Sequence, residues 1–254
     1  MDSVTFNALG KYGWLGNQLF QMSTCIATAM DNGCEAYFPE WPWSKRMPVL
    51  GMMCRSDVRK NTVTYSEKKF SFDKIPNISG DVNLHGYFQS AKYFDNYKES
   101  ICNSIEQGMI GHNGMSINKL REMLHDVCFV HVRRGDYLNL SHVYVILNDS
   151  YYMVAINKMK DYGFSKFAVV TNDVNYCKSV FKGNEYLFFS GDQADDLSIM
   201  AACGGAIIAN SSFSWWGSYL GNKVKVIAPD RWFNQSGPAD YHDLYLKNWD
   251  LMPI

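Results

Sequence analysis

The 254-residue chain carries 24 Lys and Arg against 25 Asp and Glu, a formal net charge of −1, and 47% of its residues are hydrophobic. That balance argues against a nucleic-acid binder, which needs a basic excess, and against disorder, which goes with low hydrophobicity and high net charge. At roughly 150 residues per domain the length suits one large or two small domains, either able to bury a core without staples.

The seven cysteines are scattered, odd in number and without a C-x-x-C pair, which reads as reduced core residues of a cytosolic protein. The start, MDSVTFNALGK, has no apolar signal-peptide core. The longest near-apolar run, Met200 to Ala209, is half of the roughly 20 residues that span a bilayer. A soluble, cytoplasmic globular protein is expected.

In chain order, residues 3–8 read as a short strand, followed by a turn with Gly10, Gly13 and Gly16. Leu19, Phe20, Met22, Ile26, Ala29 and Met30 then recur as one helix face, with Asn17 as the expected N-cap and Gly33 as the stop. A strand is expected at 35–38. Residues 39–80 hold four prolines and no long periodic segment. A strand at 82–88 and a helical region at 93–105 follow, and 108–114 is the expected interdomain linker.

From residue 120 the pattern alternates. Strands are expected at 127–132, 167–171, 186–190, 206–209 and 224–228. Helices are expected at 151–162, capped by Ser150, and at 212–220. Such alternation implies βαβ units around a parallel sheet. Ligands of such sheets bind beyond the carboxyl ends of the strands. There the chain places Arg133, Arg134, Gly135 and Asp136 after one strand, Asn172 and Asp173 after the next, and Asn210, Ser211 and Ser212 where a helix opens. Cations, a carboxylate and free helix N–H groups suit an anionic ligand with polar rings, such as a nucleoside diphosphate.

The sharpest motif is HVRRGDY, 131–137. Two arginines directly after a buried strand cost desolvation unless they find an anion, and the guanidinium fork matches phosphate oxygens. The plain alternative is a surface pair bridged to Asp136 or another acid, with His131 a satisfied core histidine. ANSSFSWWGSYL, 209–220, offers Ser211 or Ser212 as a cap and N–H groups aimed at an anion. Against that stands an ordinary cap, with Phe213, Trp215 and Trp216 in the core. LGKYGWLGNQLFQ, 9–21, has neither dinucleotide nor Walker-type glycine spacing. No D-x-D pair occurs, which favours arginines and helix dipoles over a metal as charge stabilisers, and Asp192, Asp195 and Asp196 read as a solvated turn opening a helix.

LGNQLFQ, HGYFQSAKYF at 85–94, HVRRGDY, TND at 171–173 and DLSIMAACGGAIIANSSFSWWGSYL at 196–220, in this order, resemble the α-1,2-fucosyltransferase family, glycosyltransferase family 11. The resemblance implies an α/β, GT-B-like fold of two Rossmann-like domains facing a cleft: an acceptor-side domain over 1–112 and a GDP-fucose-binding domain with a parallel sheet over 113–254. It implies metal-independent, inverting transfer of L-fucose from GDP-β-L-fucose to the 2-hydroxyl of a terminal β-galactoside, with no cofactor.

Carried onto this chain, Arg133 and Arg134 would neutralise the leaving diphosphate. His131 and Asp173 would contact the guanosine. Asn210, Ser211, Ser212 and Phe213 would line the phosphate and base pocket, and Gly16 and Asn17 would approach the donor from the other domain. Asp136 would serve as base or orient Arg133. Where the family has a small residue or Arg before LGNQ, this chain has Trp14, a candidate for stacking on the acceptor sugar. Another fucosyl linkage, α-1,6 or to protein, and a non-catalytic glycan or nucleotide binder are the competing readings.

Overall fold

The computed structural model describes residues 3–56, 63–77 and 79–254. Its contacts divide the chain into two units, Met1–Met109 with Asp240–Leu246, and Ile110–Ala239 with Lys247–Ile254. The division falls inside 108–114, and the return of Asp240–Leu246 to the first unit is a feature the sequence did not announce. Part of the irregular stretch 39–80, residues 57–62 and 78, lies outside the described residues.

In the first unit the elements are β1 (Ser3–Thr5), α1 (Leu15–Asp31), β2 (Glu35–Tyr37), α2 (Pro48–Met52), β3 (Val63–Ser66), β4 (Asp81–His85) and α3 (Lys98–Glu106). All the strands are parallel, in the order β2-β1-β4-β3. α1 is buried along nearly its whole length, as its apolar run demands. Its N-cap is Trp14, which makes no side-chain cap, so Asn17 lies inside the first turn rather than at the expected cap. Residues 91–97 form two 3₁₀ turns ahead of α3, where a continuous helical region was expected.

The second unit contains α4 (Ile117–Leu124), β5 (Val127–Val132), α5 (Asp149–Asp161), β6 (Lys166–Thr171), α6 (Val174–Val180), β7 (Tyr186–Phe189), α7 (Gln193–Ala202), β8 (Gly205–Ile207), α8 (Ser212–Tyr219), β9 (Lys225–Pro229) and β10 (Asp250–Met252). Its six strands are parallel, in the order β10-β9-β8-β5-β6-β7. Chain order therefore runs outward from β5 to β7, returns to β8 on the other side of β5, and runs outward again. This is the doubly wound order with its switch point between β5 and β8.

β5 is buried at all six positions, as expected of a central parallel strand covered on both faces. Its Cys128, Val130 and Val132 pack with Tyr152, Ala155, Ile156 and Met159 of α5 and Phe167 and Val169 of β6. The cap of α5 is Asn148, whose side chain accepts from the Tyr151 amide, and not Ser150. Asp192 caps α7, accepting from the Ala194 and Asp195 amides, so the acidic cluster is a helix start. Trp215 and Trp216 are fully buried, the packing alternative. Cys25, Cys128, Cys177 and Cys203 are core residues, while Cys34, Cys54 and Cys102 are only half-buried. No helix among the described residues is long and apolar enough to cross a membrane.

Candidate active site

Parallel strands deliver their carboxyl ends to one edge, so the turns after β5, β6 and β8 meet there. The β5 and β8 turns are joined directly, because the Tyr137 hydroxyl donates to the Asn210 carbonyl at 3.2 Å. The β5 and β6 turns are joined by the Asn172 side chain, which accepts from the Arg134 amide at 3.1 Å. Gly135 permits that approach: a Cβ there would come within 2.3 Å of the Asn172 amide nitrogen.

The arginines are held in different ways. Arg133 pairs with the Asp136 carboxylate at 2.8 Å and lies over the Tyr137 ring, 5.2 Å from its centroid. Arg134 stacks closely on Tyr176, at 3.8 Å, with Nε 3.5 Å from the Asp173 carboxylate. Tyr176 is fixed in turn, its hydroxyl donating to Asp149. Asp173 also caps α6, accepting from the Tyr176 amide at 3.2 Å. The acid partners of the plain alternative are thus present, and they hold two guanidinium groups about four-fifths buried at a strand end. Such fixed, weakly hydrated cations suit a phosphate.

His131 is buried in β5 with Nδ1 unpartnered, its ring 5.7 Å from that of Phe213 at the start of α8. Burial, and then the nearby Arg133 charge, push its pKa down to about 3, so the imidazole is neutral at physiological pH. Ser211 is the N-cap of α8, accepting from the Phe213 amide at 3.3 Å, and Ser212 and Phe213 begin the helix. Helix N-termini attract anions through unpaired N–H groups and the macrodipole. The Asn210 side-chain amide donates to the Val145 and Trp232 carbonyls at 3.0 and 2.8 Å and so clamps two loops, while its Oδ1 is buried without a hydrogen-bond partner.

The edge of the second unit thus gathers His131, Arg133, Arg134, Asp136, Asp173, Asn210, Ser211, Ser212 and Phe213. Trp14, Gly16 and Asn17 belong to the first unit, at the start of α1, where the Asn17 side chain accepts from Gln89 at 2.8 Å. Sequence reasoning placed Asn172 at its strand end without giving it a role, and left out Tyr176. Asn172 stood at a strand end and was readable; Tyr176 lies on α6, which the sequence pattern did not reveal. Among the described residues no group of three or more His, Cys, Asp or Glu is arranged to hold a metal ion.

The family model described as glycosyl transferase family 11 matches residues 44–252. The alpha-1,2-colitosyltransferase of Escherichia coli is 29% identical over 183 residues, covering 67% of this chain and 63% of that protein, so the match spans less than two thirds of its length. Galactoside alpha-(1,2)-fucosyltransferase 2 of Sus scrofa is 26% identical over 242 residues, 85% of this chain and 69% of that protein. In fold, the chain is similar to the fucosyltransferase NodZ from Bradyrhizobium, with a TM-score of 0.51 at 12% identity over 87% of this chain and 92% of that one. That likeness places it in the α/β, GT-B fold class, here with two parallel sheets.

Proposed function

The chain belongs to glycosyl transferase family 11, and from that premise we propose that it moves L-fucose from GDP-β-L-fucose to the 2-hydroxyl of a terminal β-galactoside, with inversion, forming an α-1,2 linkage. The observation that carries this reading is the pair Arg133 and Arg134, held beside the N-terminus of α8 at the switch point of a parallel sheet.

In this reaction the acceptor oxygen bonds to the fucose anomeric carbon as the bond to the β-phosphate breaks, and GDP departs with the electron pair. Charge grows on the diphosphate, where the two guanidinium groups and the α8 amides stabilise it. Preorganised charge of this kind is often the largest catalytic contribution. A neutral His131 lets the edge hold a polar ring beside the phosphates without a further proton. The ion pair between Asp136 and Arg133 supports a role for Asp136 in orienting the guanidinium. The oxocarbenium-like fucosyl group needs little base assistance, and the acceptor proton passes to water.

The test is a transfer assay with GDP-fucose and lactose, with and without EDTA, and product linkage determined by NMR. An α-1,2-fucosylated product formed equally in EDTA is expected. A different linkage overturns the regiochemistry, and loss of turnover in EDTA overturns the arginine-based mechanism. A second reading has one observation in its favour, the resemblance to a colitosyltransferase: the donor sugar would then be colitose. Competing the two nucleotide sugars in one assay separates them.

A further inference from the structure

The carboxyl edge of the first unit's sheet is built, and its chemistry is the opposite of the arginine-bearing edge. β3 ends at Ser66, and the next residue, Glu67, turns a half-buried carboxylate onto the loop after β4. Its two oxygens accept from the Tyr87 and Phe88 amides at 2.7 and 2.9 Å. The loop is shaped for that contact. A Cβ on Gly86 would lie 2.4 Å from the Glu67 Cβ, and Phe88 holds a left-handed φ of 52°, which a bulky residue adopts only under constraint. Such strain clusters where a surface is held in shape for binding or catalysis.

The same loop is tied to the Gly-containing turn after β1. Gln21, fully buried in α1, donates to the carbonyls of both Tyr12 and Gly86, and Gln89 donates to Asn17. Those bonds hold two loops with large aromatic rings in solvent: Tyr12 at 45% exposure, Trp14 at 65% and Tyr87 at 42%. Tyr12 is braced edge-on against His85, the last residue of β4, with centroids 5.4 Å apart. Exposed aromatics on a rigid, strained frame are not core residues left over. Aromatic faces with a few fixed polar groups recognise ligands that have an apolar side and hydroxyls. Among the described residues this edge presents a carboxylate and no paired guanidinium groups, which disfavours a diphosphate and favours a neutral sugar.

We propose that this edge binds the terminal hexose of the acceptor glycan, its apolar face against Trp14 flanked by Tyr12 and Tyr87, and one of its hydroxyls donating to the Glu67 carboxylate. The proposal rests on the transfer reaction argued above and assigns the acceptor to particular side chains. Burial pushes the Glu67 pKa up to about 7 even though the Tyr87 and Phe88 amides pull it down, which marks a carboxylate poised to gain from one more hydrogen-bond donor.

The experiment uses the full chain and lactose as the acceptor probe. Steady-state kinetics are measured for Trp14→Ala, Tyr87→Ala and Glu67→Gln, with Val224→Ala as a control on an exposed apolar side chain of the other unit. The three variants are expected to raise the KM for lactose at least tenfold and the KM for GDP-fucose less than twofold. Saturation-transfer NMR of lactose alone, without nucleotide, is expected to lose its signal in Trp14→Ala and retain it in Val224→Ala. Folded variants with a lactose KM within twofold of the parent overturn the shelf. If the parent transfers no sugar, the reaction fails as a reading, and the lactose NMR then decides the shelf by itself: signal lost in Trp14→Ala upholds it, and signal retained or absent from the parent overturns it.

Discussion

Arg134 shows why one residue type is needed at one position. Its face lies on Tyr176 while Nε sits 3.5 Å from the Asp173 carboxylate, and a planar guanidinium does both at once. A lysine ammonium keeps the charge and loses the stack and the fork. Arg134→Lys is therefore expected to reduce kcat about 10²-fold, comparable to removing one preorganised charge-stabilising donor, with Arg134→Ala inactive. Full activity in Arg134→Ala removes the arginine from the mechanism. His131 makes a separate prediction. Between its depressed folded pKa of about 3 and the ordinary 6.5, the unfolded chain binds a proton that the folded chain lacks. Its contribution is complete above pH 6.5 and is lost on acidification, by up to about 1.4 kcal/mol per pH unit. Glu67 and Asp196, both raised chiefly by burial, to about 7 and about 6, act in the opposite direction, favouring the fold as pH falls. They act equally in parent and His131→Gln, so comparing urea unfolding of the two isolates the histidine. Going from pH 6.5 to 5, the parent should lose about 1.6 kcal/mol more than the variant. Parallel pH profiles refute a buried neutral imidazole.

At the scale of elements, the turn after β5 depends on one close approach, that of Asn172 to Gly135. Gly135→Ala drives a methyl into the Asn172 amide, and Asn172→Ala removes the acceptor of the Arg134 amide. Both changes loosen the same arginine, so their effects on kcat should be non-additive in a double-mutant cycle. Additive losses would mean the two residues act separately. This also explains which parts could be read from the sequence. β5 matched its expected span to the residue because a central parallel strand is an unbroken apolar run, and α8 was visible because a serine follows a buried strand. The start of α1 was misread because Trp14 caps without a side-chain bond, so no polar signal marks it. α6 is only seven residues long with one buried position, and β10 has three residues whose place is set by pairing with β9. Partners as specific as Tyr176 under Arg134 are fixed by tertiary packing, and no spacing in the sequence encodes them.

At the scale of the molecule, the chain does not finish one unit before completing the other. After β9 it returns to the first unit for Asp240–Leu246, then re-enters the second for β10. Two carboxylates fasten that return. Asp240 accepts from the Ser71 amide and Asp243 from the Phe72 amide, each at 2.9 Å, and Asp243 also pairs with Lys92. The Ser71 amide is the main cause of the lowered Asp240 pKa. Burial pushes Asp243 up, but Lys92 and the Phe72 amide outweigh it and leave it lowered as well. Groups with depressed pKa values stabilise the fold above the ordinary carboxylate range and lose that contribution as pH falls through their folded values. Ser71 and Phe72 lie between β3 and β4, where the described residues form no regular secondary structure, so these bonds replace a sheet ladder as the means of satisfying that backbone. Asp240→Asn with Asp243→Asn should therefore act locally. In hydrogen exchange at pH 7, the Ser71 and Phe72 amides should exchange at least about tenfold faster, while the β5 amides, held by β6 and β8, keep the parent rate. Equal acceleration in β5 would mean that the return segment supports both units together, and no acceleration at 71–72 would mean that the carboxylates do not hold it.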